Sequence, residues 1–421
     1  MSSPRDVVIT GLGIVSPIGI GRAAFEQALL RGESGVRPIT QYDATAMSVR
    51  FGGELKDFEP KLYVTPRKSI KVMSHEIQMA VASANLAMED AQLDKAALDP
   101  ARFGVVYGAP MLYAEVPELE DLIRGCTVNG RFDFDRFGEQ FPKQMIPLWM
   151  LKYLPNMAAS HIGIAHNACG PNNSIVQNDV SSLVALIEAA TVIQRGAADV
   201  MLAGGTGNRL ALTGVAYRGD ENLSKRNDEP TRASRPFDAD RDGMVIGEGS
   251  GTLVLESLAH AQARGATSYG TIEGYACTHR GASIRPGMQR AIERSIRTCL
   301  ATTGIPAGSV DHVNAHGLSD RDHDRIEASA IRAVLGDVPV TAIKSYFGNV
   351  GAASGALELA ASLLGALRNG IPSTLNYEHP DAACPVNVVG RAGAPSRGTA
   401  ILKLNQAGTG QAVALLVRRP R

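Results

Sequence analysis

Short apolar runs alternate with helix-like patterns along the 421 residues, and this alternation constrains the fold more than any other feature. Runs rich in β-branched residues predict strands, because such residues suit a buried pleated surface. The predicted strands are 6–17, 103–108, 198–205, 252–256, 270–277, 310–315 and 412–418. Apolar residues spaced by three and four predict helices over 72–98, 288–300, 325–335 and 353–367. Strands separated by helices are typical of an α/β fold with a mostly parallel sheet.

One predicted strand-to-helix junction carries an acidic residue, Asp179, at its turn. A short β-branched run at 174–176 precedes it, and apolar residues at helical spacing follow it. A side chain at this position meets the unpaired N–H groups and the positive dipole end of the helix. Considered locally, Asp179 is interpreted as an N-cap whose carboxylate accepts from the N–H of Ser182.

The same junction also resembles a catalytic turn. Residues 174–186, SIVQNDVSSLVAL, are similar without a gap to the nucleophile elbow of β-ketoacyl synthases, S-I-x-T-A-C-S-S-S-L-V-A-L. The active cysteine of that family falls on Asp179. Two further stretches carry the resemblance: DVVITGLGIVSP at 6–17 and RPFDADRDGMVIGEGSG at 235–251.

The resemblance extends nearly from end to end, and it implies an α/β thiolase fold. In that fold two pseudo-repeated halves stack as alternating layers of helices and mixed sheets. We expect the N-terminal half to span residues 1–252 and the C-terminal half residues 253–421. The aromatic stretch 112–151 corresponds to a region that contributes to the dimer contact and acyl pocket in the family, although a packed insertion is an equal alternative.

The family's two histidine motifs are only partly retained. Residues 314–327, NAHGLSDRDHDRIE, keep the first histidine as His316, whereas residues 344–355, KSYFGNVGAASG, keep Lys344 but carry Asn349 in place of the second histidine. The C-terminal gate of the family resembles G-F-G-G-T-N, and residues 406–411 here read QAGTGQ, so the gating aromatic residue is missing.

The altered set changes the expected chemistry. In the family, the resemblance implies, a cysteine thiolate takes the acyl chain and two histidines stabilise the enolate left by malonyl decarboxylation. An amide such as that of Asn349 can still donate to an oxyanion. An ionised Asp179 would be a poor nucleophile toward a thioester and would repel a malonyl carboxylate. Cys169 stands ten residues earlier, and we expect it to be a buried or interface thiol rather than a substitute nucleophile.

Composition excludes several classes of partner. The 42 basic and 42 acidic residues balance, which argues against a nucleic-acid or membrane-surface partner. The five scattered cysteines lack metal spacing and indicate reduced thiols in a cytoplasmic protein without a signal peptide. We expect no metal and no cofactor beyond an acyl-phosphopantetheine thioester as substrate group.

Two functions remain open. The first is a chain-length factor, a ketosynthase homologue without the cysteine that forms a heterodimer with an active β-ketoacyl synthase. The retention of Glu248, His316 and Lys344 argues against it, because a purely structural subunit does not need these residues. The second is a repurposed enzyme that uses Asp179, His316 and Asn349 on an acyl-carrier-protein or coenzyme A thioester, for decarboxylation, cyclisation, dehydration or acyl transfer. The acyl carrier protein is the expected partner, and a homodimer is an alternative assembly.

Overall fold

The computed structural model of the chain describes residues 3, 5–111, 114–281, 285–396 and 398–419. Leu112, where the predicted aromatic region begins, lies outside the described residues. The strands in chain order are β1 Val7–Ser16, β2 Gly19–Ile20, β3 Val36–Pro38, β4 Phe51–Gly53, β5 Phe103–Gly108, β6 Thr127–Val128, β7 Arg131–Phe132, β8 Asn172–Ile175, β9 Val200–Asn208, β10 Glu248–Ser257, β11 Gly270–His279, β12 Val310–Asn314, β13 Pro339–Thr341, β14 Gly370–Ile371, β15 Asn387–Val388, β16 Ala394–Pro395, β17 Ala400–Gln406 and β18 Gln411–Arg418.

Helices lie between most of these strands. In chain order they are α1 Arg22–Arg31, α2 His75–Asp90, α3 Val116–Gly125, α4 Phe134–Gln144, α5 Met157–His166, α6 Ser181–Gln194, α7 Leu212–Arg218, α8 Leu258–Ala263, α9 Arg285–Thr303, α10 Arg321–Leu335, α11 Lys344–Phe347 and α12 Ser354–Leu367. The stretch 112–151 therefore contains two helices, and its Phe137, Phe141 and Trp149 pack around the buried Leu122.

The prediction of a mostly parallel sheet is wrong, because the large sheet is mixed. In the described part of the chain its order is β15-β13-β12-β17-β18-β11-β1-β10-β9-β5-β8, with β2 beside β1. The five central pairings, from β17–β18 to β10–β9, are antiparallel, whereas the outer pairings are parallel. Helical connections do not guarantee parallel neighbours: β1 pairs with both β10 and β11 across long sequence separations, and the consecutive strands β9 and β10 pair antiparallel.

The strand order repeats within the chain. From β8 inward to β1, the pairings are parallel, parallel, antiparallel and antiparallel, and the same series runs from β13 inward to β11. β1 and β11 join the two series. This is the α/β thiolase fold that the sequence predicts, with two pseudo-repeated halves. The predicted division between residues 252 and 253 falls within β10 and stays a prediction.

Helices α6 and α12 occupy equivalent places in the two halves and contribute to one core. Each follows a short 3₁₀ turn, Asn178–Val180 before α6 and Gly351–Ala353 before α12. The helices approach closely, because a Cβ atom at Gly355 would lie 2.5 Å from Cγ of Leu183. This contact brings the two turns, and the side chains they carry, to one place.

Among the described residues, no helix combines the length and the apolar character needed to cross a membrane.

Candidate active site

The turn between β8 and α6 directs Asp179 into the protein. Asn178 adopts a left-handed φ of 52°, which asparagine tolerates better than most residues. The Ser181 hydroxyl donates to the Asn178 carbonyl at 2.7 Å and accepts from the Gln177 N–H at 2.8 Å. The braced turn leaves Asp179 only 5% exposed.

The interpretation of Asp179 as a helix cap is wrong. Helix α6 begins at Ser181 without a side-chain cap. Oδ1 of Asp179 instead accepts from the guanidinium of Arg209, and Oδ2 accepts from Nδ2 of Asn349 at 2.8 Å. An ion pair and a charge-assisted hydrogen bond occupy both oxygens, and the ion pair neutralises the carboxylate, which a backbone N–H at a helix start does not do.

These partners keep Asp179 ionised. Burial alone raises the pKa of the Asp179 carboxyl. The charge of Arg209, the hydrogen bonds from Asn349 and Arg209, and the charge of Lys344 together lower this pKa by more than burial raises it. The net effect is a pKa below the ordinary value of an aspartate. A carboxylate held in this way is a weak nucleophile.

His316 faces Asp179 from the loop after β12. Oε1 and Oε2 of Glu327 accept from the backbone N–H groups of His316 and Gly317 at 2.7 and 2.9 Å, which fixes this loop. Nδ1 of His316 lies 3.0 Å from Nζ of Lys344 and 3.0 Å from Nδ2 of Asn405. Both neighbours are donors, so the network assigns the ring proton to Nε2.

The imidazole of His316 is buried and neutral. Burial lowers its pKa well below the ordinary value, and the positive charges of Lys344 and Lys403 lower it further. Nε2 lies 3.8 Å from Oδ2 of Asp179, which is too long for a hydrogen bond. His316 therefore presents an N–H group toward the space beside Asp179.

Lys344 belongs to a buried charge cluster behind His316. Its Nζ donates to the His316 carbonyl at 2.8 Å and lies 2.6 Å from Oε1 of Glu358. Oε2 of Glu358 accepts from Nζ of Lys403 at 2.5 Å. Burial lowers the pKa of Lys403 to about 8 although Glu358 opposes it. Lys344 thus acts as an ion-pair partner and also holds the His316 ring.

Asn349 is oriented by its own turn. Its Oδ1 accepts from the N–H of Gly351 at 2.9 Å and from the hydroxyl of Ser354 at 3.1 Å. Nδ2 is thereby turned toward Asp179, and it also lies 3.1 Å from Sδ of Met244. The structure brings all four predicted residues, Asp179, His316, Lys344 and Asn349, into one site.

Sequence reasoning did not find four members of this site, which are Arg209, Glu358, Lys403 and Asn405. Arg209 directly follows β9, and its N–H donates to the Gly247 carbonyl at 3.0 Å. No motif marks these residues, because each reaches the site only through the pairing of β9 with β10 or through the packing of α12 and β17. A basic residue after a glycine-rich strand was the one available signal for Arg209.

A cavity of about 160 Å3 opens beside the carboxylate of Asp179. Ala407 and Gly408, from the stretch that the sequence resemblance aligns with the family's aromatic gate, form part of its wall. Arg209, His316 and Leu318 line it as well. The small wall residues leave the carboxylate reachable, while the paired charges give the cavity a polar floor.

Cys169 lies outside this site and is exposed in the isolated chain, so of the two expected positions, buried or at an interface, only the interface stays a prediction. It precedes β8, where its N–H donates to the Pro100 carbonyl at 2.8 Å. The side chain faces solvent because β8 is the outermost strand of its half.

One group of potential metal ligands occurs among the described residues, formed by Asp238, Asp240 and His379. Asp238 already accepts from the N–H groups of Asp240 and His379 at 2.9 and 2.7 Å, and from Nε of Arg235 at 2.9 Å. Because its oxygens are used within the chain, Asp238 is better explained as a loop anchor than as a metal ligand.

Two family models match the chain. Residues 4–261 match the β-ketoacyl synthase N-terminal domain, and residues 269–378 match the β-ketoacyl synthase C-terminal domain. The chain is 36% identical over 392 residues to a 3-oxoacyl-[acyl-carrier-protein] synthase 2 of Coxiella burnetii, with 91% of each chain covered.

Two solved structures share the fold over their full length. The ishigamide ketosynthase/chain length factor aligns with a TM-score of 0.86 at 27% identity and covers 100% of both chains. A type II polyketide synthase ketosynthase, solved with its acyl-carrier protein and bound to the hexaketide, aligns with a TM-score of 0.86 at 28% identity, covering 99% of this chain and 100% of that one.

Proposed function

The chain belongs to the β-ketoacyl synthase family, and on that premise we propose that it is a chain-length-factor-type subunit of fatty-acid or polyketide biosynthesis. It pairs with a cysteine-bearing ketosynthase and shapes the product, and it forms no carbon–carbon bond by itself. The carrier protein that delivers the acyl groups is its second partner.

The state of Asp179 is the observation that carries this proposal. The residue stands on the elbow at the place where the family has its cysteine. Both carboxylate oxygens are bound, one by Arg209 and one by Asn349, and the pKa lies below the ordinary value. Attack on a thioester would require the carboxylate to break an ion pair inside the protein, and it would form a reactive anhydride. Condensation at Asp179 is therefore disfavoured on both counts.

An unpaired sheet edge supports a partner subunit. Within the described residues β8 pairs only with β5, so its outer edge is open. Two apolar residues lie beside this edge: Val176, which directly follows β8, is 47% exposed, and Ile164, on the adjoining helix α5, is 74% exposed. An open strand beside exposed apolar residues is a surface that another chain covers. We propose that a ketosynthase of the same fold covers it, as a heterodimer, with a homodimer as the alternative.

The names of the structural relatives fit this assembly. One is a ketosynthase/chain length factor, and the other is a ketosynthase in complex with an acyl-carrier protein. The five cysteines of this chain are all free thiols. Free thiols are typical of a reducing compartment, so we propose a cytoplasmic location.

A repurposed enzyme is the second candidate, favoured by the state of His316. Its neutral ring points an N–H group from Nε2 toward the cavity, where it could donate to a thioester carbonyl oxygen. Oδ2 of Asp179, which lies 3.8 Å from Nε2 of His316, could then remove a proton from a bound acyl group. This candidate needs no partner subunit.

Co-expression separates the two candidates. The chain is produced with and without a cysteine-bearing ketosynthase homologue, and the products on the acyl carrier protein are measured by intact mass. Wild type is compared with Asp179→Ala, Asp179→Asn and His316→Ala, and the exposed Asp228→Ala serves as the control.

A chain-length factor gives products only with the partner, and the substitutions at Asp179 and His316 alter length at most. Turnover without the partner that Asp179→Asn and His316→Ala abolish would instead establish the repurposed enzyme. A third outcome is turnover that needs the partner and is also lost in Asp179→Asn and His316→Ala. It would show that this site is catalytic within the heterodimer, and the proposal of a chain-length factor without catalytic residues would fail.

A further inference from the structure

A row of buried polar side chains lies between β12 and α12. His312 and Asn314 share one face of β12, and His316 follows two residues later, whereas Glu358 and Ser362 lie one turn apart on α12. Nδ2 of Asn314 donates across the contact, to the Glu358 carbonyl at 2.6 Å and to Oγ of Ser362 at 2.8 Å. All five side chains are at most 1% exposed. Hydrogen bonds therefore connect the interior of this half to the candidate site.

The end of the row that lies away from the site consists of Asp311, His312 and Ser362, which we call the rear triplet. Nδ1 of His312 lies 2.8 Å from Oδ2 of Asp311, and Nε2 lies 2.9 Å from Oγ of Ser362. Carboxylate, imidazole and hydroxyl occur in this order in nucleophilic triads. Here His312 and Ser362 are 0% exposed, and none of the three lines the cavity beside Asp179. No substrate reaches the hydroxyl, so the triplet acts on other residues of the chain.

Ser362 determines which way the amide of Asn314 faces. Its Oγ accepts from Nδ2 of Asn314, which leaves the hydroxyl proton for Nε2 of His312. The ring proton of His312 is then on Nδ1, from which it donates to Asp311. Because Nδ2 of Asn314 is directed to α12, Oδ1 faces β17, where it accepts from Nζ of Lys403 at 2.9 Å.

Lys403 needs neutral oxygens to keep its charge. Oε2 of Glu358 accepts from its Nζ at 2.5 Å, but Oε1 of the same carboxylate lies 2.6 Å from Nζ of Lys344. One carboxylate does not balance two buried ammonium groups. The other acceptors of Lys403 are Oδ1 of Asn314 at 2.9 Å and the carbonyl oxygens of Asn314 and Ala315 at 3.3 and 3.1 Å. Of these three oxygens, Oδ1 is the nearest, and it is carried by a side chain that can turn away.

We propose that the rear triplet is a positioning device, which fixes the amide of Asn314 so that Lys403 stays charged behind His316. The charge of Lys403 helps to keep the imidazole of His316 neutral. It also polarises the ring, so that Nε2 presents a stronger N–H donor to the cavity beside Asp179. The inference concerns the state of His316 and holds for either candidate function.

Lys403 is easily discharged, since its pKa is about 8. The titratable groups that face it are Glu358 of α12, Lys344 of α11, Glu327 of α10 and His316. Losing an acceptor disfavours the ammonium form, so the pKa of Lys403 falls when the amide of Asn314 is released. The rear triplet therefore controls a charge that changes near neutral pH.

The pKa of Lys403 in the purified chain tests the proposal. It is measured by NMR with [13Cε]lysine, and the signal is assigned by its loss in Lys403→Arg. In Ser362→Ala the pKa should fall from about 8 to about 7, because the Asn314 amide loses an acceptor. At pH 7.5 the charged fraction then drops from about three quarters to about one quarter. Ser362→Thr keeps a hydroxyl and should keep the pKa.

The matched control is Ser295→Ala, which removes a buried hydroxyl from α9, outside the row, and should leave the pKa of Lys403 unchanged. His312→Phe breaks the triplet at its centre. It should reproduce the effect of Ser362→Ala, and it replaces that variant if Ser362→Ala folds poorly. An unchanged pKa in both triplet variants, or an equal fall in Ser295→Ala or Ser362→Thr, would overturn the proposal.

The ring of His316 gives a second readout. Its 15N resonances should differ between wild type and Ser362→Ala at pH 7.5, where the charge of Lys403 differs. They should coincide at pH 5.5, where Lys403 is charged in both proteins. A difference that persists at pH 5.5 would also overturn the proposal, because it would reflect displaced packing rather than lost charge. None of these measurements uses a partner subunit or a product, so their failure is distinct from a failure of the proposed function.

Discussion

Arg209 binds the carboxylate of Asp179, and this ion pair occupies the turn between β8 and α6, where the sequence resemblance places the family's nucleophile. The pair is largely shielded from water, with 16% of the Arg209 side chain and 8% of the Asp179 side chain exposed. Charge at the elbow is therefore neutralised within the chain, before any substrate or partner binds.

Removing one member of this pair should destabilise the fold. We expect Arg209→Met to lower the free energy of unfolding by about 3 kcal/mol, because it leaves a buried carboxylate without its counter-ion. Adding Asp179→Asn should recover most of the loss. Urea unfolding of the two single variants and the double variant measures this coupling. A double variant no more stable than Arg209→Met would show that the ion pair does not matter for stability.

A thiol introduced at the elbow should be acidic. In a Cys169→Ser/Cys277→Ser background, which removes the exposed cysteines, the Asp179→Cys thiol should have a pKa about one unit or more below 8.5. Arg209 favours the thiolate more than burial opposes it. The rate of alkylation by iodoacetamide between pH 5 and pH 10 measures this pKa. Adding Arg209→Met should move it above 8.5, and identical profiles with and without Arg209 would contradict the expectation.

The neutral state of His316 predicts a pH dependence of stability. Its folded pKa lies well below that of the unfolded chain, near 6.5. As the pH falls below 6.5, His316 becomes protonated in the unfolded state but stays neutral in the native state. His316 therefore costs about 1.4 kcal/mol of stability per pH unit between pH 6.5 and its lower folded pKa. His316→Gln should remove this slope, whereas the exposed His279→Gln should retain it. Urea unfolding between pH 7.5 and pH 5 makes the comparison, and parallel curves for wild type and His316→Gln would contradict it.

The open edge of β8 predicts where a partner binds. Ile164→Asp and Val176→Asp should each weaken association by about 30-fold, the effect of losing a well-buried contact near the centre of an interface. Leu62→Asp, at a residue that is 73% exposed on the 3₁₀ turn Pro60–Leu62, outside β8 and α5, should leave association unchanged. Analytical ultracentrifugation of the chain, alone and mixed with the cysteine-bearing homologue, measures both cases. If all three variants associate equally, the interface lies elsewhere.

The local elements were more predictable from sequence than their arrangement. The strand Phe103–Gly108 has the predicted bounds, since an apolar run between turn residues specifies a buried strand. Strand β17, Ala400–Gln406, was not predicted, because Lys403 and Asn405 interrupt its apolar run. Both residues are buried and bind partners that only the folded chain brings near.

The candidate site also divides into residues that local sequence predicts and features that depend on the folded chain. His316, Lys344 and Asn349 follow from motifs, which are local in sequence. The state of Asp179 does not, because the choice between a helix cap and an ion pair depends on Arg209, thirty residues away, and on Asn349 in the other half of the chain. Local propensity favours the cap, and tertiary charge pairing overrides it.

The repeated strand order has a consequence for how the site assembles. Asp179 and Arg209 belong to the first series of strands, whereas His316, Lys344, Asn349 and Asn405 belong to the second. The site therefore lies on the seam between two units of similar architecture and forms only when they dock. Amide protons that bond across the seam, such as the Ala356 N–H that donates to the Ser182 hydroxyl at 3.2 Å, should exchange with solvent only when the halves separate. Their exchange rate thus reports on the cohesion of the whole chain, independently of any chemistry at Asp179.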